Sequence, residues 1–264
     1  MPNDVNQYVR PKKSLGQHFL RDDNIARKVA GSLTGHGGYR YLLEVGPGTG
    51  ALTRWLLQKP GLQYTGIEVD TESLDYLNEH FADTQARFIR QDILSFDPLA
   101  ACHGNTFALV GNFPYNISSQ ILFFVLQWRQ QLTEMVGMFQ KEVAARIASP
   151  PGNKVYGILS VLSQAFYDVE ILFQVSEHVF EPPPKVKSAV IRLRRKENYK
   201  LDCDEKLFFR VVKMAFNQRR KTLRNALKSL SVDWDRLPAA MAQQRAEQLT
   251  VSDFVKLTQH VTNQ

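Results

Sequence analysis

Between residues 41 and 140 the sequence alternates short apolar runs with amphipathic stretches, and this pattern narrows the possible folds more than any other feature. The runs at 41–45, 64–69, 86–90, 107–111 and 134–139 each have the length of a strand, and the intervals between them can hold a helix. Strands separated by helices predict an α/β fold with a mostly parallel sheet covered on both faces, because parallel neighbours require a crossover. Ahead of the sheet, Asp22 and Asp23 precede Ile25, Val29 and Leu33 at helical spacing, so a helix is expected from Asp23 until Gly35, Gly37 and Gly38 stop it. Residues 1–20 read as an irregular basic arm.

After the sheet region the sequence predicts a helix over 155–165 and strands over 169–175 and 186–193, flanking Pro182-Pro183-Pro184 and near enough in sequence to pair antiparallel. Beyond Lys196 the pattern changes to short helical segments without a strand. A boundary is therefore expected within residues 196–201, giving an α/β domain over 1–198 and a small all-helical domain over 199–264.

Composition limits the function classes. With 44% hydrophobic and 22% charged residues in 264, neither a disordered chain nor a fibre is expected. Cys102 and Cys203 are the only cysteines, which excludes a disulfide framework and a cysteine-rich zinc site and fits a reducing cytoplasm. The run 121–126 is too short to cross a bilayer, and the first twenty residues contain no apolar signal core, so no membrane association is expected. Residues 185–228 hold 15 Lys+Arg against 4 Asp+Glu, leaving the rest of the chain mildly acidic. Such a stripe suits a phosphate-backbone partner, and a solubilising surface would look similar.

The chemistry-bearing residues lie at strand ends. Glu44-Val45-Gly46-Pro47-Gly48-Thr49-Gly50 follows the first strand and opens a helix, the place where backbone approaches a ligand closely. Glu68 ends the second strand and Asp92 follows the third. A carboxylate at the first of these positions can accept ribose hydroxyls, and one at the second can accept an adenine amine, so the set points to a nucleoside ligand. A nicotinamide dehydrogenase would share the glycines and Glu68, and a structural turn would share the glycines alone.

Asn112-Phe113-Pro114-Tyr115-Asn116-Ile117-Ser118 follows the fourth strand. An exocyclic amine is a poor nucleophile because its lone pair is delocalised into the ring. The Asn112 carboxamide oxygen and the Pro114 carbonyl can accept its hydrogens and stabilise the charge that develops during methyl transfer, while Tyr115 offers an aromatic face to the base. An ordinary proline turn with both aromatics in the core is the alternative. Farther on, Arg219, Arg220, Lys221 and Arg224 read as one helix over 217–227 with Leu223 and Leu227 facing inward, and Lys185 and Lys187 extend the basic stripe.

On these segments, together with Lys13-Ser14-Leu15-Gly16-Gln17-His18-Phe19-Leu20, Gln140-Lys141-Glu142, 180–190 and 215–221, the chain resembles the S-adenosylmethionine-dependent ribosomal RNA adenine dimethyltransferases, most closely the bacterial small-subunit branch. The resemblance implies a class I methyltransferase fold and a monomer that dimethylates two adjacent adenosines near the 3′ end of small-subunit ribosomal RNA during subunit assembly. It implies S-adenosylmethionine as cosubstrate and no metal, with His18, Leu20, Glu44, Gly46, Gly48, Glu68, Asp92 and Asn112 at the cofactor. Gly46 would lie beside the methionine part, Glu68 would hold the ribose and Asp92 the adenine amine. Tyr115 would stack on a flipped-out base and Phe180 would close on its other side, although a core phenylalanine at a turn reads equally well. The commonest family form has Leu where this chain has Phe113. Two rivals are a large-subunit adenine methyltransferase of the antibiotic-resistance type and a noncatalytic RNA-binding assembly factor.

Overall fold

Each of the five apolar runs read as strands is a strand in the computed structural model, which describes residues 9–262. The first eight residues of the expected arm lie outside the described residues. In chain order the elements are β1 (Phe19–Leu20), α1 (Asp23–Gly31), β2 (Tyr41–Val45), α2 (Thr53–Leu56), β3 (Gln63–Glu68), α3 (Thr71–His80), β4 (Arg87–Arg90), α4 (Pro98–Ala101) and β5 (Phe107–Asn112). There follow α5 (Ser118–Gln127), β6 (Leu132–Gln140), α6 (Lys141–Ala148), α7 (Ile158–Phe166), β7 (Tyr167–Val175), β8 (Phe180–Glu181) and β9 (Ser188–Arg195). The remainder holds α8 (Glu205–Asn217), α9 (Leu223–Ala226), β10 (Ser231–Val232), α10 (Val251–Gln259) and β11 (Val261–Thr262).

The main sheet has seven strands in the order β4-β3-β2-β5-β6-β9-β7. β2, β3, β4, β5 and β6 run parallel, as the sequence predicts of the greater part of the sheet, and β9 lies antiparallel to β6. Strand order reverses between β2 and β5, which opens a crevice at the carboxyl ends of those two strands. Leu42, Leu43, Leu109, Val110, Met135 and Val136 are fully buried, as expected of strands covered on both faces.

By contact density the chain divides into two compact units, the first reaching Ala144 and including Glu170–Arg195, the second formed by Ala145–Val169 and the chain from Lys196 on. The second unit resumes at Lys196, and 145–169 groups with the C-terminal helices instead of with the sheet. In the first unit Asp22 caps α1 by accepting from Ile25 N at 3.0 Å. β1 pairs antiparallel with β8, so the expected arm ends in ordered strand. The second unit packs Val161 and Leu162 of α7, Phe208, Val211 and Val212 of α8, and Phe254 and Leu257 of α10 into its core.

Three expectations are corrected here. The helix expected from residue 155 starts at Ile158, because Asn153 Oδ1 accepts from Val155 N and Tyr156 N and holds those residues in a turn. The expected helix over 217–227 is absent: α8 ends at Asn217 and α9 spans four residues, with Leu223 N donating to Gln244 O at 2.8 Å where a continuous helix would bond back along itself. Finally, β10 and β11 form a two-residue antiparallel pair in a region read as helical throughout; two residues are too few to leave a period in the sequence.

Candidate active site

Gly46 and Gly48 form the turn between β2 and α2 with φ of +64° and +59°, a backbone conformation open to glycine at little cost. A Cβ at Gly46 would meet nothing within 4 Å, whereas one at Gly48 would lie 2.9 Å from Phe19 Cε1. The loop is tied down at both positions: Gly46 N donates to Ile67 O at 2.9 Å and Gly48 N to Glu68 Oε2 at 3.0 Å.

Glu68 is buried at the end of β3, and its Oε1 accepts from Val69 N and Asp70 N at 2.9 and 3.0 Å. Burial pushes its carboxyl upward, and the N–H groups of Asp70, Gly48 and Val69 oppose that rise. With about four acceptor positions on a carboxylate, three are taken by backbone and about one is left for a further donor. Asp92 is exposed on the neighbouring turn and uses Oδ1 to accept from Leu94 N at 2.9 Å. Glu44 lies deeper. Tyr64 and Thr53 donate to its Oε2 at 2.5 and 2.7 Å, and burial raises its pKa to about 7 against those two bonds.

At the carboxyl end of β5, Asn112 Nδ2 donates to His18 O at 2.8 Å. That bond fixes the orientation of the amide, since a flip would set two oxygens against each other. Among the described residues no donor reaches Asn112 Oδ1, and Asn112 lines the cleft. Pro114 O accepts from Ile117 N at 3.2 Å and keeps one lone pair. The Tyr115 ring lies 5.6 Å from that of His18 with 29° between planes, and its hydroxyl shares a 2.5 Å hydrogen bond with Ser188 Oγ. Burial raises the Tyr115 pKa and the Ser188 bond opposes it. His18 Nδ1 lies 2.7 Å from Pro182 O, so Nδ1 carries the proton that this carbonyl accepts.

His18, Gly46, Gly48, Glu68, Asp92, Asn112, Pro114 and Tyr115 line one cleft of about 680 Å³, counting the part open to solvent. Leu20 and Glu44 line a smaller hollow that shares Gly46, Gly48 and Asn112 with the first. Phe180 departs from expectation. It is 4% exposed, pairs with Leu20 across β1 and β8, and packs in a core cluster with Val29, Leu42 and Val190, so its ring fills the core and is absent from the cleft wall.

The basic residues divide between the two units. Lys185 and Lys187 are exposed in the first, on the loop into β9. In the second, Arg220 and Lys221 are exposed on the turn after α8, Arg219 is bound to Glu247 at 2.6 Å and to Asn153 O at 3.2 Å, and Arg224 lies 5.4 Å from the centre of the Trp234 ring. Arg219 thus has a structural partner that the sequence did not show.

Sequence reasoning also missed a polar cluster that reaches the cleft wall through Gln17. Lys12 pairs with the buried Asp70 and lies 3.2 Å from Glu72, while Gln17 Nε2 and Ser73 Oγ donate to Asp70 at 3.3 and 3.1 Å. Burial works to raise the Asp70 carboxyl, but Lys12, Gln17 and Ser73 outweigh it and hold it below the usual range. Among the described residues no group of His, Cys, Asp and Glu is arranged to hold a metal, and no helix is long and apolar enough to cross a membrane.

A profile of ribosomal RNA adenine dimethylases matches residues 9–262. The chain belongs to that family. A member named ribosomal RNA small subunit methyltransferase A, from Cytophaga hutchinsonii, is 54% identical over 95% of this chain and 96% of its own length. Among solved structures, a dimethyladenosine transferase from Plasmodium falciparum superposes with a TM-score of 0.77 at 24% identity, covering 91% of this chain and 96% of its own. The 23S rRNA methyltransferase ErmE superposes with a TM-score of 0.73 at 24% identity, covering 92% of this chain and 99% of its own. These two likenesses establish the class I methyltransferase fold, and membership of the dimethylase family marks the chain as an enzyme.

Proposed function

We propose that this chain transfers methyl groups from S-adenosylmethionine to the exocyclic amines of two adjacent adenosines near the 3′ end of small-subunit ribosomal RNA. The observation that carries the reading is the convergence of Glu68, Asp92, Asn112, Pro114 and Tyr115 on one cleft at the carboxyl ends of the parallel strands. The glycine turn, with open space beside Gly46, suits a ligand that must approach backbone, and Glu68 and Asp92 supply acceptors for a ribose and an adenine amine. The donor supplies an electrophilic methyl carbon on a sulfonium.

The amine nitrogen bonds to that carbon as the carbon–sulfur bond breaks, leaving a neutral thioether and a cationic nitrogen that loses its proton to water. Asn112 Oδ1 and Pro114 O accept the amine hydrogens, which localises the nitrogen lone pair and stabilises the positive charge that grows during attack. No strong base is needed, because alignment supplies much of the acceleration. Tyr115 holds the base by stacking, so the adenosine must be unpaired or flipped out. The exposed Lys185 and Lys187, and separately Arg220 and Lys221, serve RNA phosphates. The chain acts as a monomer on a small subunit or its precursor, in the cytoplasm, and needs no metal. The small-subunit target follows from kinship with the bacterial relative, since the likeness to ErmE is one of fold alone.

The test incubates the protein with labelled S-adenosylmethionine and small subunits lacking adenine dimethylation, then identifies the labelled nucleoside by mass spectrometry, with Asn112→Ala and large-subunit RNA alongside. Dimethyladenosine in the small-subunit sample alone, lost in the variant, is the expected result. Label on the large-subunit RNA selects the resistance-type target, and no label on either, with an active control enzyme labelling the subunits, refutes the proposal.

A further inference from the structure

Tyr115 carries the stacking face, yet it sits on a single 3-10 turn, Tyr115–Ile117, between a strand and a helix. A ring on so short a turn keeps torsional freedom unless its far end is held. Ser188 holds it. This residue is fully buried, opens β9, and is fixed in antiparallel register against Gln140 of β6, so its hydroxyl belongs to the sheet rather than to a loop. The same chain segment holds the second ring at the cleft through the Pro182 carbonyl on His18, and Asn112 is held in turn by the His18 carbonyl. One segment of chain, 182–188, therefore anchors Tyr115 directly and Asn112 through His18.

We propose that Ser188 is a positioning residue for the methyl transfer: its hydroxyl sets the ring plane of Tyr115 and so the orientation in which the target base is presented. The inference rests on the adenine-dimethylating reading above. It also separates the two transfers to one amine. Before the first, the amine has two hydrogens, and both acceptors, Asn112 Oδ1 and Pro114 O, can orient it. After the first only one hydrogen remains, so one acceptor loses its partner and the stacked ring carries more of the alignment. Loosening Tyr115 therefore impairs the second transfer more than the first.

The experiment measures single-turnover rates and the ratio of monomethyl- to dimethyladenosine for wild type, Ser188→Ala, Tyr115→Phe and the double variant on undermethylated small subunits. Thermal midpoints and S-adenosylmethionine affinities are recorded for all four. Ser188→Ala is expected to slow the second transfer about fivefold, the effect of one lost hydrogen bond of average strength, and the first transfer less. Monomethyladenosine then accumulates with cofactor affinity unchanged. Tyr115→Phe should behave alike, and the double variant should be no worse than either single one, because both remove the same bond. A wild-type product ratio in Ser188→Ala, or losses that multiply in the double variant, overturns the inference. A wild type that makes no dimethyladenosine, where a control enzyme does, overturns the functional reading as well, so the two failures are distinct.

Discussion

Gly137 of β6 is where a single methyl group reaches the reaction loop through the core. A Cβ there would lie 2.0 Å from Phe113 Cε2, 2.7 Å from Cδ2 and 2.9 Å from Cζ. Non-bonded carbons rest near 3.5–4.0 Å, so the ring must move by roughly 1.5 Å. It has little room: Phe113 is 1% exposed, packs on Phe139 with centroids 5.1 Å apart, and lies over Gly111, whose own Cβ would sit 2.8 Å from Phe113 Cε1. Overpacking of this kind costs about 1–3 kcal/mol, and in a protein of this size each kcal/mol lowers the melting temperature by about 2–4 °C. Gly137→Ala should therefore melt roughly 2–12 °C below wild type. Because Phe113 joins Asn112 to Pro114, its displacement carries with it both groups proposed to accept the amine hydrogens, and a misplacement near 1 Å costs about a hundredfold in rate. Thermal unfolding by circular dichroism and single-turnover methyl transfer measure the two effects. Phe113→Leu removes the outer ring atoms and should restore much of both losses in the double variant, an interaction read directly from the mutant cycle. Wild-type melting and rate in Gly137→Ala would refute the seating of Phe113 against β6.

Glu44→Gln tests the buried acid behind the glycine turn. Its folded pKa, raised to about 7 from 4.5, means that wild type is most favoured at low pH and loses stability as pH climbs through that window. Urea titrations at several pH values should show wild type falling relative to the variant by roughly 3 kcal/mol between pH 4.5 and 7.5, and a pH-independent difference would contradict the burial. Asp70→Asn weakens the hold of Asp70 on Lys12 and Gln17, so S-adenosylmethionine should dissociate several-fold faster in stopped-flow fluorescence, and Lys12→Met should produce the same change without adding to it. Lys185→Ala and Lys187→Ala should each lower the slope of log affinity for RNA against log salt by about 1. Arg219→Ala should instead lower the melting temperature, since its guanidinium is bound to Glu247 and Asn153, and a reduced salt slope without destabilisation would reverse that assignment.

What the sequence disclosed and what it concealed divide along chain distance. The strand ends that carry Gly46, Glu68, Asp92 and Asn112 were legible because each follows a local period, and in an open parallel sheet the carboxyl ends of strands converge whatever the side chains between them do. Ser188 lies 73 residues from the tyrosine it holds, Lys12 lies 58 from Asp70, and Arg219 lies 28 from Glu247. No local pattern announces such pairs. Phe180 shows the same limit in reverse, because a phenylalanine before three prolines satisfies either a stacking role or a core role, and only the pairing of β8 with β1 turns it inward. Helix continuity beyond Asn217 failed for a related reason: the basic residues at 219–221 fit a helical pattern, yet the helix ends at Asn217 and Arg219 bonds a carboxylate 28 residues away. Local periodicity thus fixes where reacting groups are carried, while the contacts that set their angles come from residues distant in sequence and mostly silent in it. For this enzyme the consequence is mechanistic. Methylating an amine twice depends on angles more than on the identity of the attacking group, so on the proposal made for Ser188 the residue that separates the second transfer from the first belongs to the class that sequence patterns do not mark.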